Sequence, residues 1–416
     1  MNDYHLKLKS WKSFLISKLK FSLLAIIIYL LYGYLFIDTL NGLIIRNYAF
    51  SFSPIYKMLL LVLMMYVLLK KKIYTPIILL SFFTMLILLH IVQGIYSSLE
   101  LFWMLKFIMI VTSLYFFKFL ISINKFHVVK NMFFISFIVI SFNMFVGALG
   151  YGYAQYGRND IGTRGLFYAG NEVGGLLIVT SIFILSYFLL RKEFYKYLSI
   201  SLIILTLAVL LTSKVALFGS ALIIFILPII NLISTRKGLI LSRVSFRIVG
   251  ISTMIFIFLV PYTVYYALYE MNLIVRISFW MNKVDFITLF YSGRNLLAND
   301  IFQFLQNQDI SFNAFFGYGY EKIITVAGRS VELDAVDLFM LYGTIGVVVI
   351  YGFFLLNYFS NRVKKSKVYI YKPYVQFGIL FLLLISISSG HIINSGVAGI
   401  MIGALMSLNY YKVGNK

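Results

Sequence analysis

Cysteine is absent from this chain, which excludes disulfide staples and thiolate metal centres and leaves either redox compartment open. Charge is scarce: only 12% of the 416 residues are Asp, Glu, Lys or Arg, against 61% hydrophobic and 18% aromatic. That ratio excludes a soluble domain, because nothing but a bilayer hides so much apolar surface, and the apolar runs recur along the whole length. Barrel strands are excluded as well. The runs are long and uniformly apolar rather than alternating, and backbone groups in hydrocarbon must be satisfied within their own element. The expectation is one all-α polytopic membrane domain over residues 1–416.

A small-residue cleavage site after the first apolar run is also missing. Residues 1–20, basic and amphipathic (Lys7, Lys9, Lys12 and Lys18 beside Leu8, Trp11 and Leu15), therefore read as a cytoplasmic interfacial segment ahead of an uncleaved anchor. About twelve transmembrane spans are expected, at 21–37, 54–69, 73–92, 101–117, 132–150, 173–190, 197–211, 215–233, 248–269, 338–359, 373–389 and 392–408. They leave two sizeable outer loops, 151–172 and, between the ninth and tenth spans, 270–337.

Negative charge is the rarer sign, with 14 acids against 36 basic residues and a net charge of +22. Basic residues crowd the loops on the N-terminal side, among them Lys70, Lys71 and Lys72, and Arg362, Lys364, Lys365 and Lys367. Every acid except Asp3 and Glu193 falls on the other side. The bias places both termini in the cytoplasm and makes the surplus charge a topology signal with an attraction to anionic lipid. A nucleic-acid partner is not expected.

The bilayer midplane lacks ionisable residues. His90 and Gln93 close the third span, Lys106 enters the fourth, and Asn143 lies in the outer half of the fifth. Glu172 opens the sixth, Lys214 turns between the seventh and eighth, and His391 begins the last. A coupled transporter places its sites at the midplane on broken helices, so this pattern favours a site at the outer surface. No GxxxxGK loop for nucleotides is present.

Three outer stretches carry the candidate chemistry. In GRNDIGTRGLFYAGNEVGG, glycines permit close backbone approach, Arg158 and Arg164 supply positive charge, and Asn171 and Glu172 open a helix whose exposed amides suit an anion. The plain alternative is an ordinary loop with a helix cap. In SSGHIINSG, His391 stands alone, as a packed histidine or as a base. In the large loop, Ile274, Ile277, Trp280, Val284 and Ile287 form an interfacial stripe, and Ser292 is placed to cap a helix that carries Arg294 and buries Leu297, Ile301 and Leu305. Glu332, Asp334 and Asp337 then lead into the tenth span, as a solvated helix start or as working carboxylates. No histidine is in step with them, so no metal and no other cofactor is expected.

Arginines beside acids suit one chemistry. A sugar on a lipid pyrophosphate has a good leaving group, so its transfer needs cations for the departing phosphates and a base for the acceptor hydroxyl. An outward-facing enzyme meets no cytosolic nucleotide sugars, which leaves a lipid-linked donor.

The order of GTRG and NE (Gly162 to Glu172), the turn at Ser213 and Lys214, SGR (Ser292 to Arg294), the acids before YGTIG and the GH at Gly390 and His391 resembles the Wzy-type polysaccharide polymerases of the O-antigen polymerase/ligase superfamily. The resemblance implies a GT-C-like fold in a bacterial cytoplasmic membrane. It also implies metal-independent, inverting transfer of a glycan from one polyprenyl-pyrophosphate-linked oligosaccharide to another, for a capsule or O-antigen type polymer, with flippase and chain-length regulator proteins as partners. Arg164 and Arg294 would hold pyrophosphate, with Arg158, Lys214, Asn171, Glu172 and Lys106 as further substrate-binding candidates. The base lies among Glu332, His391, Asp334 and Asp337, with Glu332 standing roughly where ligases of the superfamily carry a histidine. A ligase of the same superfamily and a flippase or exporter of lipid-linked oligosaccharides are the alternatives.

Overall fold

The computed structural model describes residues 2–48, 50–156, 161–236, 285–308, 312–360, 369–390 and 392–412, together with isolated positions between 250 and 265. The chain is an all-α polytopic membrane protein: among the described residues, 9 helices are long and apolar enough to cross a bilayer. They are α1 (Asn2–Tyr48), α2 (Ser53–Lys70), α3 (Thr75–Val92), α4 (Ser98–Ser122), α5 (Phe126–Val146), α6 (Gly170–Arg191), α7 (Phe194–Leu211), α8 (Lys214–Arg236) and, after the large loop, the helix Asp334–Phe359. A two-stranded hairpin, β1 (Ala154–Tyr156) and β2 (Ile161–Thr163), joins α5 to α6. Among its described residues the large loop holds four short helices, α9 (Phe286–Tyr291), α10 (Arg294–Gln306), α11 (Phe312–Phe316) and α12 (Tyr320–Ala327). Helix Asp334–Phe359 is then α13, followed by α14 (Lys372–Ser388) and α15 (Gly399–Ser407).

Prolines start α2, α3 and α14, where the missing N–H costs no helix bond. At the centre stand α4 and α6, whose most apolar stretches are 78% and 89% buried against 28% for α2 and α3. Gly399 and Gly403 of α15, one helical turn apart, bring its backbone against Ile110 and Ser113 of α4, the close approach that small residues allow where helices pack in lipid.

Three expectations change. The first span does not end at residue 37: α1 runs unbroken to Tyr48, which draws Asp38 and Asn41 into the bundle. The last span is shorter than 392–408, because residues 392–398 form a buried non-helical turn and only Gly399–Ser407 is α-helical. Its amides are instead taken by buried carboxylates, which is how irregular backbone survives inside a membrane protein. Ser292 does not cap α10, since the residue before Arg294 is Gly293 at φ 81° with no side-chain cap. Most of 248–269, and 270–284 of the large loop with the stripe from Ile274 to Val284, lie outside the described residues.

Helix α13 is broken at Gly343 (φ 64°, ψ −169°). The amides of Tyr318 and Gly319 donate to the freed Met340 carbonyl at 2.7 and 3.1 Å, and Thr344 Oγ1 donates to Ala314 O at 3.0 Å. The break thus docks α11 and the turn after it onto α13. A buried pair holds the same turn from the other side: His90 Nδ1 lies 2.7 Å from Glu100 Oε2, Tyr320 N donates to Glu100 Oε1 at 2.9 Å, and His90 Nε2 lies 3.1 Å from Phe316 O.

Candidate functional site

The polar side chains gather at the end of the bundle where α6 and α8 begin and the large loop lies. The hairpin comes first. Ala154 pairs with Thr163, Arg164 N donates to Tyr153 O at 3.0 Å, and Gly162 rests on the Thr212 hydroxyl at the end of α7. Arg164 is thereby laid across the first turn of α6, with its guanidinium 5.0 Å from the centre of the Tyr153 ring. A Cβ at Gly170 would come within 2.8 Å of Arg164 Cδ, so the arginine reaches the helix start because that residue is glycine. Burial draws the Arg164 guanidinium down from its ordinary range without discharging it. Its Nε is buried with no partner among the described residues. An arginine with an unused donor at a helix N-terminus is a site for an anion.

Across the α7–α8 turn, Lys214 Nζ donates to Ser292 Oγ at 3.1 Å. Two residues on, Arg294 opens α10 and pairs with Glu332, Nη2 to Oε2 at 2.8 Å and Nε to Oε2 at 3.3 Å. Arg294 is 15% exposed and Glu332 26%, so the pair borders solvent.

The other two acids of this stretch are placed differently. Asp337 accepts from Val331 N and Glu332 N, both at 2.9 Å, and Asp334 accepts from Ile392 N at 3.1 Å and Ile393 N at 3.0 Å. Both are 1% exposed. Their oxygens hold backbone: Asp337 fixes the left-handed turn at Glu332 (φ 62°), and Asp334 ties the 390–393 turn to it. Gly390, at φ 62°, lies so close to the Glu332 carbonyl that any Cβ would overlap it. His391 is outside the described residues, while Gly390 before it and Ile392 after it are both anchored to the 332–334 segment.

Glu172 closes the circuit. Its Oε2 accepts from Ser395 Oγ at 2.7 Å and Val397 N at 2.8 Å, while Lys106 Nζ donates to Asn394 O at 3.3 Å. A continuous chain of contacts therefore runs from Arg164 and Gly170 through the Ser213–Lys214 turn, Ser292, Arg294, Glu332 and Gly390 to Ser395 and Glu172. Of the candidates named from sequence, Arg164, Lys214, Arg294, Glu332, Asp334, Asp337, Glu172 and Lys106 belong to it. Arg158 and the side chain of Asn171 lie outside the described residues. Among the described residues no three His, Cys, Asp or Glu side chains cluster as metal ligands.

Sequence reading missed Asp38 and Lys57. Lys57 Nζ lies 2.7 Å from Asp38 Oδ1 inside the bundle. The signal was there: beyond Asp38 the chain continues with Leu40, Leu43, Ile44 and Ile45, enough apolar character to prolong the helix.

Comparisons of the chain with family models, with curated proteins and with solved structures find no match.

Proposed function

We propose that the protein is a membrane glycosyltransferase that joins polyprenyl-pyrophosphate-linked oligosaccharide units into a surface polysaccharide, acting at the outer face of a bacterial cytoplasmic membrane. One observation carries the reading. Glu332 pairs with Arg294 at the solvent border, while Asp334 and Asp337 each accept from two backbone amides.

In this reaction the oxygen of the acceptor hydroxyl bonds to the anomeric carbon of the donor glycan. The bond from that carbon to the pyrophosphate oxygen breaks, its electron pair leaves with the pyrophosphate, and the hydroxyl proton passes to Glu332. Attack opposite the leaving group inverts the anomeric centre. Arg294 serves the leaving group with its planar fork, together with Lys214 and with Arg164 at the start of α6. Arg294 Nη2 lies 2.8 Å from Glu332 Oε2, and a pyrophosphate that draws Arg294 away leaves that oxygen to accept the hydroxyl proton. No nucleotide, metal or redox group enters any step.

The test is to incubate purified protein with a lipid-linked repeat unit and look for a ladder of products, with and without chelator. A ladder unaffected by chelator is expected. Units that stay single while being moved across a vesicle bilayer would replace this reading with that of a flippase.

A further inference from the structure

A second feature lies beside the circuit, on the far side of Glu172. A cavity of about 410 Å³ opens between α1, α2, α4 and the start of α6, closed below by Gly396 and Val397. Its lining holds Asp38, Lys57, Lys106 and Glu172 with Asn41, Ser51 and Ser53, and the other walls are mostly apolar, Phe102 and Phe167 among them. Met58 and Phe102 line it and are 47% and 48% exposed, so it opens sideways between α2 and α4, where lipid chains run.

These charges lie within helices rather than in loops. At 1.5 Å per residue, Lys57 is about 6 Å from the start of α2, Lys106 about 12 Å from the start of α4 and Asp38 about 15 Å from the end of α1. Lys57, Lys106 and Asp38 at that depth, beside Glu172 in the first turn of α6, are costly, and such groups mark ligand sites. Most of their bonding is accounted for: Lys57 with Ser53 holds Asp38 Oδ1, Ser395 and Val397 hold Glu172, and Lys106 donates to the Asn394 carbonyl. Asp38 Oδ2 is the exception, an acceptor on a side chain 6% exposed that has no partner among the described residues. A head that fits must bring an anionic oxygen for Lys57 and Lys106 and a hydrogen-bond donor for Asp38. It must also carry an apolar chain to leave through the opening. A phosphate joined to a hydroxylated sugar on a lipid meets all three conditions; a bare phosphodiester lacks the donor.

We infer that this cavity seats the phosphate and first sugar of a second lipid-linked glycan, the acceptor, next to the donor at Arg164 and Arg294. The inference rests on the transfer reading above for the word acceptor, and on the cavity alone for the ligand class. Gly396 offers a clean probe. A Cβ there meets Lys106 Cε at 3.5 Å, Glu172 Oε2 at 3.9 Å and Lys57 Nζ at 4.0 Å, ordinary van der Waals contacts. Gly396→Val carries two methyls beyond that Cβ into the polar corner, and a thermal midpoint equal to the native chain's checks that the fold is kept.

The experiment counts bound lipids by native mass spectrometry on the full chain in lipid nanodiscs, with polyprenyl pyrophosphate bearing one N-acetylhexosamine as probe. Two bound lipids are expected for the native chain and one for Gly396→Val, and Lys106→Met should weaken the second binding about tenfold, the loss of one charge-assisted hydrogen bond. Excess phosphatidylmethanol, a phosphodiester with no hydroxyl, or inorganic phosphate should leave the count unchanged. An unchanged count in Gly396→Val overturns the proposal, and displacement by phosphatidylmethanol or by phosphate overturns the sugar-lipid assignment. If two lipids bind in the native chain and one in Gly396→Val, yet no ladder ever forms, the transfer reading fails and the cavity site stands.

Discussion

Arg294 and Glu332 stand 2.8 Å apart across the mouth of the large loop, one opening α10 and the other held in a left-handed turn just before α13. A pair at the solvent border contributes little to stability, at most about 1 kcal/mol, so its two members can be separated by function. Glu332→Gln should lower the turnover rate roughly a hundred- to ten-thousandfold, the range for loss of a general base, while donor binding is kept or tightened because Arg294 is released. Arg294→Ala should instead weaken donor binding and shorten chains to single units. Chain-length gels and lipid-binding counts on both variants check this, and a Glu332→Gln protein at full rate would move the base to His391.

Asp334 and Asp337 should behave in the opposite way. Each accepts from two backbone amides, so Asp337→Asn turns one acceptor into a donor facing a donor. The expected cost is roughly 1–3 kcal/mol per amide left unpaired. Thermal unfolding of the purified variants should therefore show a lowered midpoint for Asp337→Asn and for Asp334→Ala, which removes the oxygen that takes both amides, and none for Glu332→Gln.

That division was not readable from the sequence, where the three acids look alike. Periodic apolar runs located most spans, since hydrophobicity is a local property and the 9 described helices coincide with expected ones. Motif order also brought Arg164, Lys214 and Arg294 to one end. What escaped depends on tertiary contact. The turn 392–398, which the expected last span took in, is kept from helix by Asp334 and Glu172, which are distant in sequence. The extension of α1 carries a carboxylate tolerated only because Lys57 is beside it. Ser292 had the right residue type for a cap, and its hydroxyl is taken up by Lys214.

The buried pair His90 and Glu100 should matter to the loop more than to the reaction. Both side chains are 0% exposed, and removing one partner of a buried pair costs on the order of 3–5 kcal/mol. Glu100→Ala also frees the Tyr320 amide, so hydrogen exchange should quicken at 316–320 before it does in α6. Uniform exchange along the chain would show that the pair does not latch this turn.

The break in α13 offers the sharpest structural prediction. At φ 64° and ψ −169°, Gly343 sits in a region essentially closed to residues with a side chain, and a Cβ would also strike the Phe315 carbonyl. Gly343→Ala must either strain the backbone or straighten the helix, and straightening returns Met340 O to the helix and expels the amides of Tyr318 and Gly319. Either way α11 loses its seat. Since α10 and Arg294 precede that seat while Glu332 follows it, their 2.8 Å spacing should loosen as well. Cysteines introduced at Arg294 and Glu332 should therefore be bridged readily by a bis-maleimide, which replaces the length lost with the two long side chains, in the native background and slowly with Gly343→Ala. Equal rates would show that the break shapes the loop without positioning the pair.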